Sequence, residues 1–294
     1  MYNQIMTESA IGKGTAHSME KKAERISSRN NRWVKLAGQL KTKKYREKNR
    51  QFLMEGVRSA EDAFRQEYRN AVCFVTEQAA GEARVQALME AAAEAGWLFL
   101  LVSEAMMKTM AGTEHSQGVL AILPMPQPDP SALCRPLRGH YVLLDGLQDP
   151  GNMGTILRTA AAAGCRGVLL TEGCTDPYGE KAVRSSMGSI LRMPIYGGLT
   201  LGDIREIRAA SGLPLIGTAL EGGVPYRRAG ALPDAIFVFG NEGSGIRPEL
   251  LALCDRKLYI PMDGGVESLN VAASAAILLF HFREDKEGPA SGGS

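Results

Sequence analysis

The sequence predicts an α/β protein with two domains, and three observations support this fold class. Short apolar runs alternate with segments of helical periodicity, first over residues 51–123 and again from residue 140 to about residue 284. One proline-rich stretch, residues 124–139, separates the two alternating regions. The chain has 294 residues, of which 45% are hydrophobic and 22% charged, and this is enough for two globular domains of ordinary composition.

The first alternating region is expected to form the smaller α/β domain. Its four apolar runs, which predict strands, are QFLMEG, AVCFVT, WLFLLV and GVLAIL. Three segments with helical spacing lie between them: VRSAEDAFRQE, EARVQALMEAAAEAG and EAMMKTMAG. The segment 124–139 carries five prolines and is predicted to link this domain to the second one.

These patterns set the predicted domain boundaries. Residues 26–123 combine a basic arm with the smaller domain, and residues 140–285 form the larger domain. The polar segments 1–25 and 286–294 are expected to be disordered, because they contain too few apolar residues to bury.

Positive charge is concentrated near the N-terminus. Residues 1–50 contain 13 Lys or Arg and 4 Asp or Glu, although the whole chain has a net charge of only +2. The aromatic residues Trp33 and Tyr45 are interleaved with these cations. A basic, aromatic stripe suits a phosphate backbone, because neutralising phosphates releases counterions; a solvated helix that aids solubility is the alternative. The cations expected to contact RNA are Arg29, Arg32, Lys35, Lys41, Lys43, Lys44 and Arg46.

The composition disfavours several classes of protein. The five cysteines and four histidines form no CxxC pair and no metal-ligand spacing, so we expect neither a zinc site nor a disulfide framework. No apolar run reaches the roughly 18 residues of a membrane span, and the N-terminus lacks the apolar core of a signal peptide. We therefore expect a reduced, cytoplasmic protein without a metal and without a membrane partner.

The larger domain opens with the stretch LLDGLQDPGNMGTILRTAAAAGCRGVLL, residues 143–170. Tyr141–Leu144 is an apolar run typical of a strand buried on both faces. Asp149 is placed to cap the helix that follows, and Gly167–Leu170 forms the next strand. A glycine-containing turn between a buried strand and a helix is where open α/β sheets bind ligands. Arg158 lies within this otherwise small and aliphatic helix, either as an ordinary surface residue or as a functional one.

A second glycine-rich turn follows the strand Ile236–Phe239, in the segment AIFVFGNEGSGIRPELLALC. The turn carries Glu242, and a helix is expected from about Arg247. Its glycines match neither the phosphate loop GxxxxGK[ST] nor GxGxxG, and Glu242 replaces the first glycine of a serine nucleophile elbow. The three commonest glycine-loop chemistries are therefore disfavoured. Considered alone, this turn fits a purely structural role as well as it fits a functional one.

The third segment is LYIPMDGGVESLNVAASAAILLFHF, residues 258–282. A strand ends at Ile260, and a Gly-Gly turn leads through Ser268 and Asn270 into a helix that is apolar nearly all round, as expected for a buried helix. These two polar residues are either helix caps or site residues. Three buried strands thus each end in a glycine-containing turn with polar side chains, and this combination indicates a shared site.

The three turns resemble the signature motifs of the SpoU/TrmH family of RNA ribose 2′-O-methyltransferases, of the SPOUT class. The matching segments are DPGNMGTILRTA, FGNEGSGI and IPMDGGVESLNVAASAAI, and the resemblance covers residues 140–284. The preceding segment RNNRWVKLAGQLKTKKYREKNRQFLMEG resembles the basic arm and L30e-like substrate-binding domain of family members that modify ribosomal RNA. The implied fold is a C-terminal SPOUT α/β-knot (trefoil) domain with a smaller N-terminal L30e-like α/β domain.

The resemblance also implies a cofactor and a set of site residues. The family's cofactor is S-adenosyl-L-methionine, contacted largely by backbone in the second and third motifs. The implied cofactor-binding positions are Thr218, Leu220, Gly240, Asn241, Gly245, Ile260, Ser268 and Leu269. The implied catalytic residues are Arg158, Asn152, Glu242 and Asn270.

The role of Arg158 is open between a base and an electrostatic stabiliser. Because a guanidinium stays charged in proteins, with a pKa above about 12, we prefer stabilisation of the developing alkoxide or of a neighbouring phosphate. On this interpretation Glu242 or Asn152 would orient the guanidinium.

The resemblance implies a homodimer whose second subunit completes the site. The interface candidates are the helix that begins at the first motif and the apolar helix Val271–Phe282. The L30e-like domain favours large-subunit ribosomal RNA as the partner, because the tRNA branch of the family typically lacks that domain. A tRNA 2′-O-methyltransferase and a catalytically silent RNA-binding protein of the same fold are the alternatives. A nucleotide-utilising α/β enzyme is disfavoured by the absent phosphate loop and by the basic arm.

Overall fold

The computed structural model describes residues 23–112, 116–263, 265 and 268–283. The chain divides into two compact units. The first runs to Met125 and includes Tyr178–Glu180, and the second comprises Pro126–Pro177 and the chain from Lys181 onward. Most of the two terminal segments that we expect to be disordered lie outside the described residues. Among the described residues, no helix has both the length and the apolar character that crossing a membrane requires.

The described residues of the first unit form a five-stranded sheet and six helices. Its strands are β1 (Glu24–Arg25), β2 (Gln51–Glu55), β3 (Val72–Thr76), β4 (Leu98–Val102) and β5 (Val119–Pro124). Its helices are α1 (Arg32–Leu40), α2 (Lys43–Asn49), α3 (Val57–Arg65), α4 (Glu77–Ala80), α5 (Ala83–Glu94) and α6 (Glu104–Met110). All four strands and all three helices predicted for residues 51–123 are confirmed, and the short α4 is an addition.

Helices cover both faces of this sheet, whose strand order is β1-β4-β3-β5-β2. Strand β5 is antiparallel to both of its neighbours, whereas β1 and β3 are parallel to β4. Apolar residues of α1 and α6 share one core with Leu120 and Ile122. Alternate strand residues point to opposite faces, and the buried side chains at 119, 121 and 123 lie on the face where α3 and α5 pack. This unit is therefore a three-layer α/β/α structure.

The N-terminal end of the first unit differs from the sequence prediction. Glu24–Arg25, which we placed in a disordered segment, pair in parallel with β4. The adjoining Ile26 donates its N–H to Leu101 and is 6% exposed. A two-residue strand is too short to leave a periodic signal in the sequence, so its pairing depends on the tertiary edge that β4 offers.

The second unit is a seven-stranded sheet in which every pairing is parallel. Its strands are β6 (His140–Leu144), β7 (Gly167–Thr171), β8 (Ile195–Leu199), β9 (Leu215–Thr218), β10 (Val224–Pro225), β11 (Ala235–Phe239) and β12 (Arg256–Tyr259). The order is β10-β12-β9-β11-β6-β7-β8. Its helices are α7 (Pro150–Ala162), α8 (Glu180–Ser185), α9 (Leu201–Ser211), α10 (Pro248–Leu251) and α11 (Val271–His281). Because all strands run the same way, the loops that follow them emerge at one edge of the sheet.

The proline-rich segment between the two alternating regions is partly packed. Residues 130–133 form a 3₁₀ turn, and Leu133 is 1% exposed within the core of the second unit. The N–H of Leu137 donates to the carbonyl of Ser211 at 3.0 Å. Its prolines disfavour helix and strand, but they leave its leucines free to bury apolar surface.

Helices α7 and α11 pack against each other on the second sheet. Gly154 in α7 lies so close to α8 that an added Cβ would be 2.3 Å from the carbonyl oxygen of Ala182, so only glycine fits there. At the far end of α11, the buried His140 ring donates from Nε2 to the carbonyl of Phe282 at 2.7 Å. These contacts fix the helix that carries Arg158 and the helix that begins at Asn270.

Candidate active site

Three loops of the second unit meet at the carboxyl edge of its sheet. They follow β6, β11 and β12, and they carry the three motifs described above. Strand β6 pairs with β11, and β9 lies between β11 and β12, so the three strand ends are close neighbours. The shared site expected from the sequence thus has a common location in the fold.

Two side-chain hydrogen bonds join the three loops in series, through Asn270, Asn152 and Glu242. Asn270 donates from Nδ2 to Oδ1 of Asn152 at 2.9 Å, and Asn152 donates from Nδ2 to Oε1 of Glu242 at 3.0 Å. The orientation of the Asn270 amide is set independently, because its Oδ1 accepts the N–H groups of Ala272 and Ala273 as the cap of α11. The hydrogen-bond partners therefore determine which end of each amide is the oxygen and which is the NH₂ group.

The Glu242 carboxylate also accepts two backbone N–H groups, from Gln148 at 3.1 Å and from Asp149 at 3.0 Å. Burial alone would raise the pKa of Glu242, but the hydrogen bond from Asn152 and those from the backbone outweigh it and lower the pKa. Glu242 is consequently an anion at neutral pH, and it holds the second motif against the turn before α7.

Asp149 caps α7 as the sequence predicts. Its carboxylate accepts the N–H of Asn152 at 2.8 Å and forms an ion pair with Lys181 at 2.8 Å. The Lys181 ammonium and the N–H of Asn152 lower the pKa of Asp149. The cap orders the first turn of α7, which presents Asn152 to the relay.

The turn after β11 is tightly folded on itself. The backbones of Asn241 and Gly245 exchange two hydrogen bonds, and Asn241 Oδ1 accepts the N–H groups of Gly243 and Ser244. A Cβ at Gly240 would lie 2.0 Å from the carbonyl carbon of Gly245, so no other residue fits. The Asn241 side chain is occupied within the protein, because its Nδ2 also donates to the carbonyl of Gly146 at 2.9 Å.

A cavity of about 440 Å³ opens at this edge of the sheet. All eight positions that the sequence reasoning assigned to a cofactor line it, together with Glu242 and Asn270. The sequence analysis missed several further lining residues, which lie on the ends of β11 and β12, in the loop after β12 and on α11: Phe239, Leu258, Tyr259, Met262, Val271, Ser274 and Leu278. A volume of this size suits a small-molecule ligand.

Three large apolar side chains at this cavity are unusually exposed to solvent: Leu220 (69%), Leu269 (39%) and Met262 (37%). Exposed apolar surface that is gathered around a concave site is typical of a ligand-binding groove. The cavity therefore combines an apolar mouth with polar groups from Thr218, Ser268 and the backbone of the second motif.

Arg158 does not line the cavity of its own chain. It lies six residues after Asn152 on α7, which places the two side chains about 120° apart around the helix. Arg158 is exposed, and its guanidinium forms no hydrogen bond or ion pair with the described residues. Within the chain neither Asn152 nor Glu242 contacts this guanidinium, and the expectation that one of them orients it stays a prediction.

The basic segment of the first unit forms α1 and α2, and six of its seven predicted RNA-contacting residues are exposed. The exception is Arg46, which is 5% exposed and donates from Nη1 to the carbonyl of Leu40 at 2.7 Å. Its prediction as an RNA contact is wrong, because the guanidinium satisfies the C-terminal end of α1. Lys41 is exposed but donates to the carbonyls of Thr109 and Ala111. Arg32 stacks over the Trp33 ring at 4.5 Å.

Two further observations concern groups outside the predicted set. Asp145 directly follows β6, is 3% exposed, and is bound by Arg247. Its place at the end of a buried strand can be seen in the sequence, but its pairing with Arg247 cannot. Within the described ranges, no cluster of His, Cys, Asp or Glu is arranged to hold a metal ion.

Comparison with known proteins identifies the family. Residues 139–280 match the SpoU rRNA Methylase family, and residues 31–121 match the MRM3-like substrate binding domain. The chain is 35% identical over 260 residues to the 23S rRNA (guanosine(2553)-2′-O)-methyltransferase RlmP of Bacillus subtilis, a match that covers 88% of this chain and 99% of the relative. The chain belongs to the SpoU rRNA methylase family. A second member, the 23S rRNA (guanosine-2′-O-)-methyltransferase RlmB of Coxiella burnetii, is 30% identical over 70% of this chain and 85% of its own length.

Solved structures of SpoU-type enzymes share this architecture. The AdoMet-bound rRNA methyltransferase from Sinorhizobium meliloti superposes with a TM-score of 0.80 at 31% identity, covering 89% of this chain and 98% of its own. The SpoU methyltransferase AviRb from Streptomyces viridochromogenes, in complex with AdoMet, has a TM-score of 0.77 at 25% identity over 85% of this chain and 96% of its own. The predicted fold class, a SPOUT α/β-knot domain after a smaller substrate-binding domain, is confirmed.

The lowered pKa of Glu242 predicts a pH-dependent contribution to stability. Its folded-state pKa is lowered from that of free glutamate, so the contribution is complete above the free value and is lost as the pH falls through the lowered pKa. Glu242→Gln should therefore lower the melting temperature at pH 7, and the difference from the unsubstituted protein should shrink as the pH is lowered into the acid range. Thermal unfolding measured from pH 7 into the acid range tests this prediction.

Glu206→Gln, at an exposed position of α9, is the matched control, and its melting temperature should show no such trend with pH. A difference between Glu242→Gln and the unsubstituted protein that is constant with pH would contradict the assignment.

Proposed function

We propose that this protein transfers a methyl group from S-adenosyl-L-methionine to a ribose 2′-hydroxyl of 23S ribosomal RNA. The observation that carries the proposal is the cavity at the carboxyl edge of the second sheet, which the second and third motifs line. The relay from Asn270 through Asn152 to Glu242 joins the first motif to this cavity. Relatives named as 23S rRNA 2′-O-methyltransferases and the two AdoMet-bound neighbours support it.

The residues of the cavity fit S-adenosyl-L-methionine. The volume of about 440 Å³ suits a molecule of that size, and the exposed Leu220, Met262 and Leu269 offer apolar contacts for an adenine ring. Thr218 and Ser268, with the backbone of Gly240 and Ile260, offer polar contacts at the same edge. When bound, the cofactor supplies a methyl group that its sulfonium already activates, so the protein has mainly to position the acceptor in line with it.

Arg158 is the proposed catalytic residue. Arginine is a cationic side chain in proteins, and Arg158 has no partner among the described residues that would neutralise it. Its role in this proposal is to stabilise the negative charge that develops on the 2′-oxygen, or to clamp a neighbouring phosphate through two parallel hydrogen bonds.

A homodimer accounts for the position of Arg158. The residue is exposed and lies outside the cavity of its own chain, so it can serve a cavity only from a second copy or after a rearrangement. On α11, which packs against α7, Phe280 is 48% exposed and adds apolar surface to the same pair of helices. We propose that α7 and α11 pair with a second chain, whose cavity then receives Arg158.

The RNA partner is proposed to be the large-subunit ribosomal RNA, in the cytoplasm. The exposed cations of α1 and α2 lie within the region that matches the MRM3-like substrate binding domain. A substrate-binding domain of this kind supports ribosomal RNA over the tRNA alternative. The intact set Asn152, Arg158, Glu242 and Asn270 supports an active enzyme over a silent RNA-binding protein.

Methyl transfer is the direct test of this function. The purified protein should transfer tritiated methyl from S-adenosyl-L-methionine to unmodified 23S rRNA, and the label should lie on a single 2′-oxygen. 16S rRNA and total tRNA should remain unlabelled. Label that appears only in tRNA, or on a base, would contradict the proposal.

Arg158→Ala should lower kcat by at least about 100-fold, the usual effect of removing a transition-state charge partner. Its affinity for the cofactor in calorimetry should change little, because in this proposal the guanidinium acts on the acceptor 2′-oxygen or on a phosphate of the RNA and not on the cofactor. Arg158→Lys should restore part of the activity if a point charge suffices.

Mixing inactive variants tests whether the site is shared between copies. Arg158→Ala mixed with Asn270→Ala should regain roughly a quarter of the activity, because random exchange makes half of the dimers mixed and each mixed dimer has one complete site. Activity that survives Arg158→Ala intact, or a mixture that stays inactive after subunit exchange, would contradict these roles.

Reversing charge on α1 should weaken RNA binding without affecting the cofactor. Arg32→Glu combined with Lys35→Glu should lower the affinity for 23S rRNA fragments and reduce the slope of log affinity against log salt by about 0.7–0.9 for each phosphate that the protein no longer neutralises. Binding measured from 50 to 200 mM salt checks this. Arg205→Glu, at an exposed position of α9 in the second unit, is the matched control. Equal slopes for both variants would contradict an RNA-binding role for α1.

A further inference from the structure

Asp145 contacts both ends of the turn that follows β11. Its N–H donates to the carbonyl of Phe239, the last residue before the turn, at 2.8 Å. Its carboxylate accepts the N–H of Arg247, the first residue after the turn, at 2.9 Å. One residue at the end of β6 therefore joins the beginning and the end of residues 240–246.

The Arg247 side chain strengthens the second of these contacts. Its Nε donates to Asp145 Oδ1 at 2.8 Å, and Nη2 lies 2.8 Å from the same oxygen. The Thr171 hydroxyl donates to Oδ1 as well, at 3.1 Å, and accepts the N–H of Gly146 at 3.0 Å. The Asn241 side chain also donates to the Gly146 carbonyl. Residues 145–146 therefore hydrogen-bond to the turn and its flanking residues at three places: Phe239, Asn241 and Arg247.

The environment of the pair makes each partner depend on the other. The Asp145 side chain is 3% exposed, whereas that of Arg247 is 42% exposed. Removal of the guanidinium would leave a buried carboxylate without its counter-charge, which proteins tolerate poorly. A lysine could supply the charge but not the set of donors that the guanidinium directs at one carboxylate.

The turn between these anchors forms one wall of the cavity. Gly240, Asn241, Glu242, Gly243 and Gly245 all line it. The turn contributes backbone N–H and carbonyl groups rather than long side chains, so the shape of its backbone determines what it offers a ligand. Hydrogen bonds within the turn and contacts at its two ends both hold that shape, and Asp145 and Arg247 provide the contacts at the ends without lining the cavity themselves.

We propose that Asp145 and Arg247 are positioning residues, whose ion pair holds the turn 240–246 in the conformation that binds the cofactor. Neither residue contacts the cofactor or the RNA acceptor in this role. The inference rests on the proposed function, since it assumes that the cavity binds S-adenosyl-L-methionine.

Calorimetry of the full chain with S-adenosyl-L-methionine and S-adenosylhomocysteine tests the pair. Arg247→Ala and Asp145→Asn should each raise the Kd for both ligands at least about tenfold, and Arg247→Lys should give an intermediate value. The double variant should bind no more weakly than the weaker-binding single variant, because the two residues act as a unit. Arg208→Ala is the matched control: it removes a guanidinium that is 41% exposed and paired with Asp255, and its Kd should be unchanged.

Steady-state kinetics separate positioning from a general loss of structure. In the Arg247 variants the KM for the cofactor should rise while kcat at saturating cofactor changes little. A uniform loss of active protein would instead lower kcat and leave KM unchanged, and this pattern would overturn the inference. Should Arg247→Ala fail to fold, Arg247→Lys and Asp145→Asn carry the same comparison.

The two hypotheses fail differently. If the unsubstituted protein binds neither ligand, the proposed function is wrong and the inference falls with it. If the unsubstituted protein binds and the folded Arg247→Ala variant binds equally well, only the positioning role is wrong.

Discussion

The hydrogen-bonded relay from Asn270 through Asn152 to Glu242 is the constraint on which the site depends. It joins three loops that are far apart in the sequence, and each amide is oriented by a second contact. The Glu242 carboxylate at its end is anionic because hydrogen bonds from Asn152 and from the backbone outweigh the effect of burial and lower its pKa. Glu242 and Asn270 line the cavity and Asn152 bridges them, so these polar residues join the three motifs.

Parallel pairing explains why these loops can meet. All seven strands of the second unit run in one direction, so the turns after β6, β11 and β12 emerge at the same edge. Close backbone approach then narrows the choice of residue, as at Gly240, where any side chain would collide with Gly245. The result is a cavity between the second and third motifs, and α7 presents the exposed cation Arg158 outside it.

Strands with continuous apolar runs, such as Tyr141–Leu144, were predictable because burial on both faces leaves a plain signal in the sequence. The cavity-lining positions were predictable by resemblance, because the motifs fall on the turns. The burial of Arg46 and the outward direction of Arg158 were not, since both depend on where one helix lies against its neighbours. The role of Asp145 was not predictable either, because a lone carboxylate after a strand gains its meaning only from Arg247, which lies about a hundred residues later.

A crystal structure with S-adenosyl-L-methionine tests the central claim most directly. The account predicts density for the cofactor in the cavity between the turn 240–246 and the segment 258–271, with the bonds from Asn152 to Asn270 and Glu242 intact. Cofactor bound elsewhere, or in this cavity with the relay broken, would contradict the claim that these hydrogen bonds assemble the site.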